Sequence, residues 1–247
     1  MDGGERNGPC PVCGGPGGSV FVRHGEHVLL RCSACGCAYL SPLPDPEQAA
    51  ETNNDAYEGA STGYFAKVDK KMRRSRRRLR WLRRLAGGRL LDVGCNGGFL
   101  VEAAREAGFD AWGVDLDPVS IDYARHHYPG NNFLYGRIED LLPRLGQFDV
   151  IHCSEVIEHV PDPRSFAAAL AALARPGGWL YVTSPDFGHW RRPANLARWD
   201  AFTPPGHCIY FTAAGLRILM ERSGFRLVRQ RKTLKPAVKM LFRRAEG

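Results

Sequence analysis

Leu90-Leu91-Asp92-Val93-Gly94-Cys95-Asn96-Gly97-Gly98-Phe99-Leu100 is the stretch on which the reading of this chain turns. A short apolar strand, Arg89 to Val93, runs into a glycine-rich loop, and an apolar helix follows through Ala107. The glycines let backbone approach a ligand at the end of the strand. Their spacing is neither the Gly-x-Gly-x-x-Gly of dinucleotide-binding turns nor that of a P-loop, which disfavours a pyrophosphate ligand. Asp92 sets a carboxylate beside the loop, which suits a cation. Asp115 ends the next strand, where an acid accepts hydrogen bonds from both hydroxyls of a ribose. A charged nucleoside fits both acids.

Outward from this stretch, strands and helices alternate. Trp112 to Asp115 reads as a strand, and Asp117-Pro118 caps a helix to His127. Phe133 to Tyr135, Phe148 to Cys153, Trp179 to Thr183 and Phe225 to Arg229 read as further strands, with helices over about 163–174 and 212–223. The fold class expected is therefore α/β, with a doubly wound, mainly parallel sheet that binds ligands at the carboxyl ends of its strands.

The order of motifs resembles the class I S-adenosylmethionine-dependent methyltransferases over about residues 50 to 235. Residues 90–100 look like the first motif of that family, with Asn96 in place of the middle glycine of Asp-x-Gly-x-Gly-x-Gly. Gly113 to Asp117 resembles the ribose-binding second motif, and Gly136 to Asp140 the adenine-contacting third. Phe148 to Ile151 and Leu173 to Gly178 resemble the fourth and fifth. The resemblance implies a Rossmann-like methyltransferase fold and a cofactor set of Asp92, Gly94, Asn96, Gly98, Asp115, Leu116, Ile138, Glu139 and Ser154. In that set Gly94 lies against the methionine moiety, Asp115 holds the ribose, and Leu116 and Ile138 flank the adenine. The usual final antiparallel strand of the family is not evident after Arg229.

Ser154-Glu155-Val156-Ile157-Glu158-His159-Val160 follows the fourth strand, and His207 lies in a distant loop. Glu155, Glu158, His159 and His207 resemble the divalent-metal site of ubiquinone-pathway O-methyltransferases and of small-RNA terminal 2′-O-methyltransferases. Two carboxylates and two imidazoles suit Mg²⁺ or Mn²⁺ and would orient a substrate hydroxyl. The other reading makes His159 a base or a packed side chain with no metal. The loop Phe187 to Pro205, carrying Trp190, Arg191, Arg192 and Trp199, is expected to cover the acceptor. Tyr57 and Tyr64 fall where the family has a lid.

Five of the eight cysteines lie within residues 10–37. Cys10-x-x-Cys13 and Cys32-x-x-Cys35, each followed by glycine, have the spacing of a four-thiolate zinc site, with disulfides as the alternative. Short strands between the knuckles make a zinc ribbon, whose metal is structural because four thiolates leave no open position. Cys37 is left over. Cys95, Cys153 and Cys208 read as small buried hydrophobes.

The net charge of +8 is uneven. Residues 67–84 carry 11 Lys/Arg against one acid, and residues 222–244 carry 9 with none, which leaves the remainder acidic. Val68, Met72, Ser75, Leu79 and Leu82 give the first segment one apolar helical stripe. The second places Leu234, Val238, Leu241 and Phe242 on one side of an expected short C-terminal helix, which would lie in an anionic membrane interface. The expected organisation is a zinc ribbon at 1–41, a linker and basic helix at 42–86, the methyltransferase domain at 87–235 and a basic tail at 236–247. No run is apolar enough to span a bilayer and the start lacks a secretory pattern, so a cytoplasmic location is expected, with peripheral membrane contact through the tail.

For function, the expectation is O-methylation of a hydroxyl on a small molecule, a sugar or a lipid-linked saccharide, with an anionic carrier. Ribbon-bearing enzymes that resemble this chain often serve glycan or lipid-linked saccharide pathways. RNA methylation is the alternative, since ribbons and arginine-rich helices are common at nucleic-acid surfaces. In a third reading the ribbon is a binding module beside a catalytically silent domain.

Overall fold

The chain begins with three antiparallel strands, β1 (Ser19–His24), β2 (His27–Arg31) and β3 (Ala38–Ser41). The computed structural model describes residues 8–58 and 67–246, without the side chains of 53–58. Tyr57 and Tyr64, expected as a lid, fall outside the described side chains. Two helices follow, α1 (Pro46–Glu58) and α2 (Val68–Leu82). The sequence leaves α1 hidden among prolines, but Pro46 occupies its first position, where a missing N–H costs nothing. In α2 the apolar stripe forms as read: Met72, Ser75, Leu79 and Leu82 are buried and the arginines occupy the other faces.

The alternating core then runs β4 (Arg89–Val93), α3 (Phe99–Glu106), β5 (Asp110–Asp115), α4 (Pro118–His127), β6 (Asn132–Tyr135), α5 (Ile138–Leu145) and β7 (Phe148–Ser154). A 3-10 turn (Ile157–His159) leads to α6 (Pro163–Leu173), β8 (Ala174–Pro185), β9 (Ile209–Tyr210), α7 (Ala213–Arg222), β10 (Phe225–Gln230) and β11 (Ala237–Arg244). Asp117 and Asp162 each cap their helix by accepting two backbone N–H bonds, with proline at the first helical position.

The larger sheet has the order β10-β11-β8-β7-β4-β5-β6. Its five strands from β8 to β6 are parallel, and β11 runs antiparallel to both β8 and β10. The expected C-terminal helix is thus corrected to a strand inside the sheet. Val238, Met240, Leu241 and Phe242 are all buried, with Ala237 and Lys239 half-buried among them, while Leu234 of the expected stripe lies exposed before the strand begins. The correction removes the basis for a membrane-facing tail helix and supplies the missing antiparallel strand. Among the described residues no helix is long and apolar enough to cross a membrane.

The ribbon does not stand apart. β9 adds to β3 as the fourth strand of the ribbon sheet, pairing Ala38 with Tyr210 and Tyr39 with Ile209. Ribbon side chains such as Val12, Leu29 and Leu40 share one core cluster with Leu216, Phe211 and Ile151 of the larger body.

Candidate active site

The loop between β4 and α3 is built from residues in left-handed backbone. At Gly94 (φ +71°) a Cβ would meet Val156 Cγ2 at 2.3 Å, so only glycine passes. Asn96, at φ 49°, is the side-chain-bearing type most tolerant of that region, and its Nδ2 donates to Ser120 Oγ at 3.0 Å. Gly98 (φ +77°) starts α3 with no room for a Cβ beside Phe133. It shapes the loop and does not line the cavity.

A cavity of about 470 Å³ opens at the carboxyl ends of β4, β5 and β7. The expected cofactor residues Asp92, Gly94, Asn96, Asp115, Leu116, Ile138, Glu139 and Ser154 all line it, and α2 closes one side with Lys71, Arg74 and Arg78. Asp115 accepts the backbone N–H of Asn96 on Oδ2 at 2.6 Å and that of Asp117 on Oδ1 at 3.0 Å. Each oxygen keeps a further lone pair, the arrangement that receives two adjacent hydroxyls. Burial pushes its carboxyl up to about 6, against the pull of the two backbone donors.

Asp92 has a partner the sequence did not reveal. The β4–β7 register sets His152 opposite it, and His152 Nδ1 lies 2.6 Å from Asp92 Oδ1. His152 Nε2 lies 2.7 Å from Arg78 Nη1. A guanidinium only donates, so Nε2 is the acceptor and Nδ1 carries the proton given to Asp92. Burial lowers the affinity of this imidazole for a second proton, outweighing the attraction of Asp92. Desolvation lowers Arg78 as well. A histidine in the otherwise apolar run Val150–Cys153 was the signal available in the sequence.

After β7, Glu155 sits in strained left-handed backbone (φ 58°) and its Oε1 accepts from Thr183 Oγ1 at 2.6 Å. Glu158 is almost wholly buried; its Oε2 accepts from Ser184 Oγ at 3.0 Å, whereas Oε1 has no partner. Burial first, and then the charge of Glu155, pushes Glu158 up to about 8. His159 Nδ1 donates to Gly206 O at 2.7 Å, and His207 Nδ1 donates to Ala201 O at 2.8 Å. Carbonyls only accept, so both rings hold their proton on Nδ1 and leave the Nε2 lone pair free, the tautomer of a metal-ligating histidine. Burial keeps both rings neutral, His159 falling to about 4.

Ligand atoms of Glu158, His159 and His207 all lie within 4.8 Å of one another. Glu155 is not in that group, although it lines the cavity together with His159. An orphaned carboxylate oxygen and two free imidazole nitrogens fit a divalent cation by geometry and by donor chemistry.

No residue of 187–205 lines the cavity, although Ala201 O of that loop accepts from His207 Nδ1. Phe187, Trp199 and Phe202 instead pack with Tyr210 against the ribbon, and Phe187 meets Phe21 edge-on at 5.4 Å. Phe187, Trp199 and Phe202 thus serve a core that the sequence does not show, whereas Trp190 is exposed.

In the ribbon, Sγ atoms of Cys10, Cys13, Cys32 and Cys35 lie within 4.8 Å of one another, with Cys10–Cys35 at 3.8 Å and Cys13–Cys32 at 3.6 Å. Zn–S bonds of about 2.3 Å in a tetrahedron give edges of about 3.8 Å. Both distances are far too long for disulfides. The two knuckles are built alike: Gly14 and Gly36 donate back to Cys10 O and Cys32 O, while Cys10 and Cys32 donate to Gly15 O and Cys37 O. The set fits a structural zinc.

Fold, loop and cavity together define the S-adenosylmethionine methyltransferase class of Rossmann-like folds. A family model described as a methyltransferase domain matches residues 64–230, and the chain belongs to that family. The ubiquinone biosynthesis O-methyltransferase of Bordetella avium (strain 197N) is 44% identical over 116 residues, 43% of this chain and 48% of its own length. That of Methylococcus capsulatus (strain ATCC 33009 / NCIMB 11132 / Bath) is 36% identical over 148 residues, 47% of this chain and 62% of its own. The chain spans about half the length of the curated relatives it matches. Magnesium protoporphyrin IX methyltransferase from Synechocystis PCC 6803, solved with bound SAH, superposes with a TM-score of 0.62 at 18% identity, covering 81% of this chain and all 100% of that one. Burkholderia thailandensis 1,6-didemethyltoxoflavin-N1-methyltransferase gives 0.61 at 18%, covering 92% and 99%. At these identities the likeness is one of fold.

Proposed function

We propose that this protein transfers a methyl group from S-adenosylmethionine to a hydroxyl of a small molecule or saccharide, with a divalent cation such as Mg²⁺ or Mn²⁺ held by Glu158, His159 and His207. The observation that carries the reading is the buried, partnerless Oε1 of Glu158 beside two imidazoles whose Nε2 lone pairs are free. When bound, the cation would lower the pKa of the acceptor hydroxyl and orient its oxygen.

The remaining work falls to the chain. Asp115 takes the ribose hydroxyls, Leu116 and Ile138 flank the base, and Asp92, held by His152, faces the cationic end of the cofactor. Glu155, fixed by Thr183, lies where it can receive the acceptor proton. The hydroxyl oxygen attacks the methyl carbon in line as the carbon–sulfur bond breaks, and positioning with exclusion of water supplies most of the rate.

The cationic α2 wall favours an acceptor that bears negative charge. Arg74 makes no hydrogen bond or ion pair among the described residues, while Arg78 is held by His152. A carboxylate or phosphate on the acceptor, including that of a lipid-linked saccharide or of RNA, would meet Arg74. The test is transfer of labelled methyl from S-adenosylmethionine into fractionated cell extract, with and without ribonuclease, followed by mass spectrometry of the labelled product. An anionic, ribonuclease-resistant hydroxyl compound supports the reading. Label that disappears with ribonuclease moves the acceptor to RNA, and no transfer rejects the activity.

A further inference from the structure

The ribbon and the Glu158–His159–His207 group are joined through main chain. Leu40 of β3 donates its N–H to Cys208 O at 3.0 Å, and Cys208 donates its own N–H to Glu158 O at 3.0 Å. One buried residue thus spans from the ribbon sheet to the 3-10 turn that carries Glu158 and His159, and His207 immediately precedes it. Three further contacts fasten the same junction. Thr212 Oγ1 donates to Cys35 O at 2.7 Å, the Thr212 N–H lies 3.3 Å from Cys37 Sγ, and Arg222 donates to Cys13 O. At Gly215 a Cβ would fall 2.1 Å from Cys37 Sγ, so α7 packs on the second knuckle at a distance only glycine allows.

Within the connection 186–208 His207 is held locally, its ring by Ala201 O and its backbone N–H by Thr203 O, but the connection has little regular structure to set that unit against Glu158 and His159. Its fixed end is β9, and β9 is a strand only because β3 pairs with it. Of Glu158, His159 and His207 only His159 lines the cofactor cavity, and none of the described residues up to Ser41 does.

We propose that the zinc ribbon is a clamp for the acceptor side of the active site: by taking β9 as its fourth strand it positions His207 against Glu158 and His159, and it leaves the cofactor loop untouched. Leu40, Cys208 and Thr212 are positioning residues in this arrangement. The proposal rests on the reading of Glu158, His159 and His207 as the cation-holding group, and the test separates the two.

The experiment uses the full chain and two variants. The Cys32→Ser/Cys35→Ser protein loses the ribbon metal, while Leu40→Pro keeps all four thiolates and removes the N–H given to Cys208. Amide exchange at Cys208 is read by NMR or mass spectrometry, Mn²⁺ affinity by electron paramagnetic resonance, and S-adenosylmethionine affinity by calorimetry. In both variants the Cys208 amide should exchange at least about 100-fold faster as the local structure opens. Mn²⁺ affinity should fall about 10- to 100-fold, as for loss of a group that orients a ligand, with cofactor affinity held within about threefold. Unchanged protection of Cys208 overturns the clamp. Equal loss of cofactor binding in both variants overturns it too, since the ribbon would then support the whole fold. If wild-type protein binds no Mn²⁺, the cation reading fails, and the Cys208 amide alone decides the clamp.

Discussion

Arg78 Nη1 lies 2.7 Å from His152 Nε2, and because the guanidinium can only donate, this contact sets the tautomer of an imidazole buried beside the cofactor cavity. The proton on Nδ1 then goes to Asp92, and the basic helix is tied to the glycine loop through two side chains. Arg78→Met would leave Nε2 buried without a donor. The expected cost is about 1–3 kcal/mol of unfolding free energy, measurable by urea titration. Long-range proton–nitrogen NMR of the wild type should show the neutral, Nδ1-protonated ring at pH 7, because burial depresses its second protonation.

Asp115 predicts how cofactor affinity depends on pH. Its carboxyl is raised by burial to about 6 in the free protein, and ribose hydroxyls bind the ionised form, which accepts on both oxygens. Binding therefore competes with protonation. Calorimetric affinity should be flat above about pH 6 and weaken by up to about tenfold for each unit below it. Affinity that stays constant down to pH 5 would remove Asp115 from the ribose.

Glu158→Gln tests the cation group. The change keeps an acceptor for Ser184 Oγ and replaces a buried carboxylate by a neutral amide. Mn²⁺ affinity should drop about 10- to 100-fold, because a neutral amide is a poor ligand for a divalent cation, while the cation-free protein unfolds close to the wild-type temperature, since burial already favours the uncharged form of Glu158. Wild-type Mn²⁺ affinity in the variant would place the ion elsewhere.

Elemental analysis of protein purified without chelator should give one zinc per chain, and Cys35→Ser should abolish it, because the four Sγ atoms form one tetrahedral set. Zinc retained at full occupancy in that variant would contradict the assignment.

What the sequence made legible was local. The cysteine knuckles, the Asp92–Gly98 loop and the Asp117 cap are short patterns whose chemistry is complete within a few residues. The features that escaped it depend on partners far along the chain. Arg78 and His152 are 74 residues apart. β9 is two residues long, and nothing in Ile209-Tyr210 announces a strand until β3 lies beside it. Val238 to Phe242 failed as a pattern for a different reason. The two-residue period that Val238, Lys239 and Met240 begin is blurred by the consecutive apolar run Met240-Leu241-Phe242, so helix spacing fits as well. Of the group Glu158, His159 and His207, the first two could be read from one short segment, and His207 was found only through a family resemblance.

Titration of S-adenosylmethionine into the full chain and into Asp115→Ala tests most directly whether Asp115 holds a nucleoside cofactor. Wild type should bind one equivalent. The variant should keep the circular dichroism spectrum of the wild type and bind at least about 100-fold more weakly, since hydrogen bonds to a charged group are worth about 1.5–3 kcal/mol each and two are lost. No binding by the wild type, or near-normal affinity in the variant, would contradict the account.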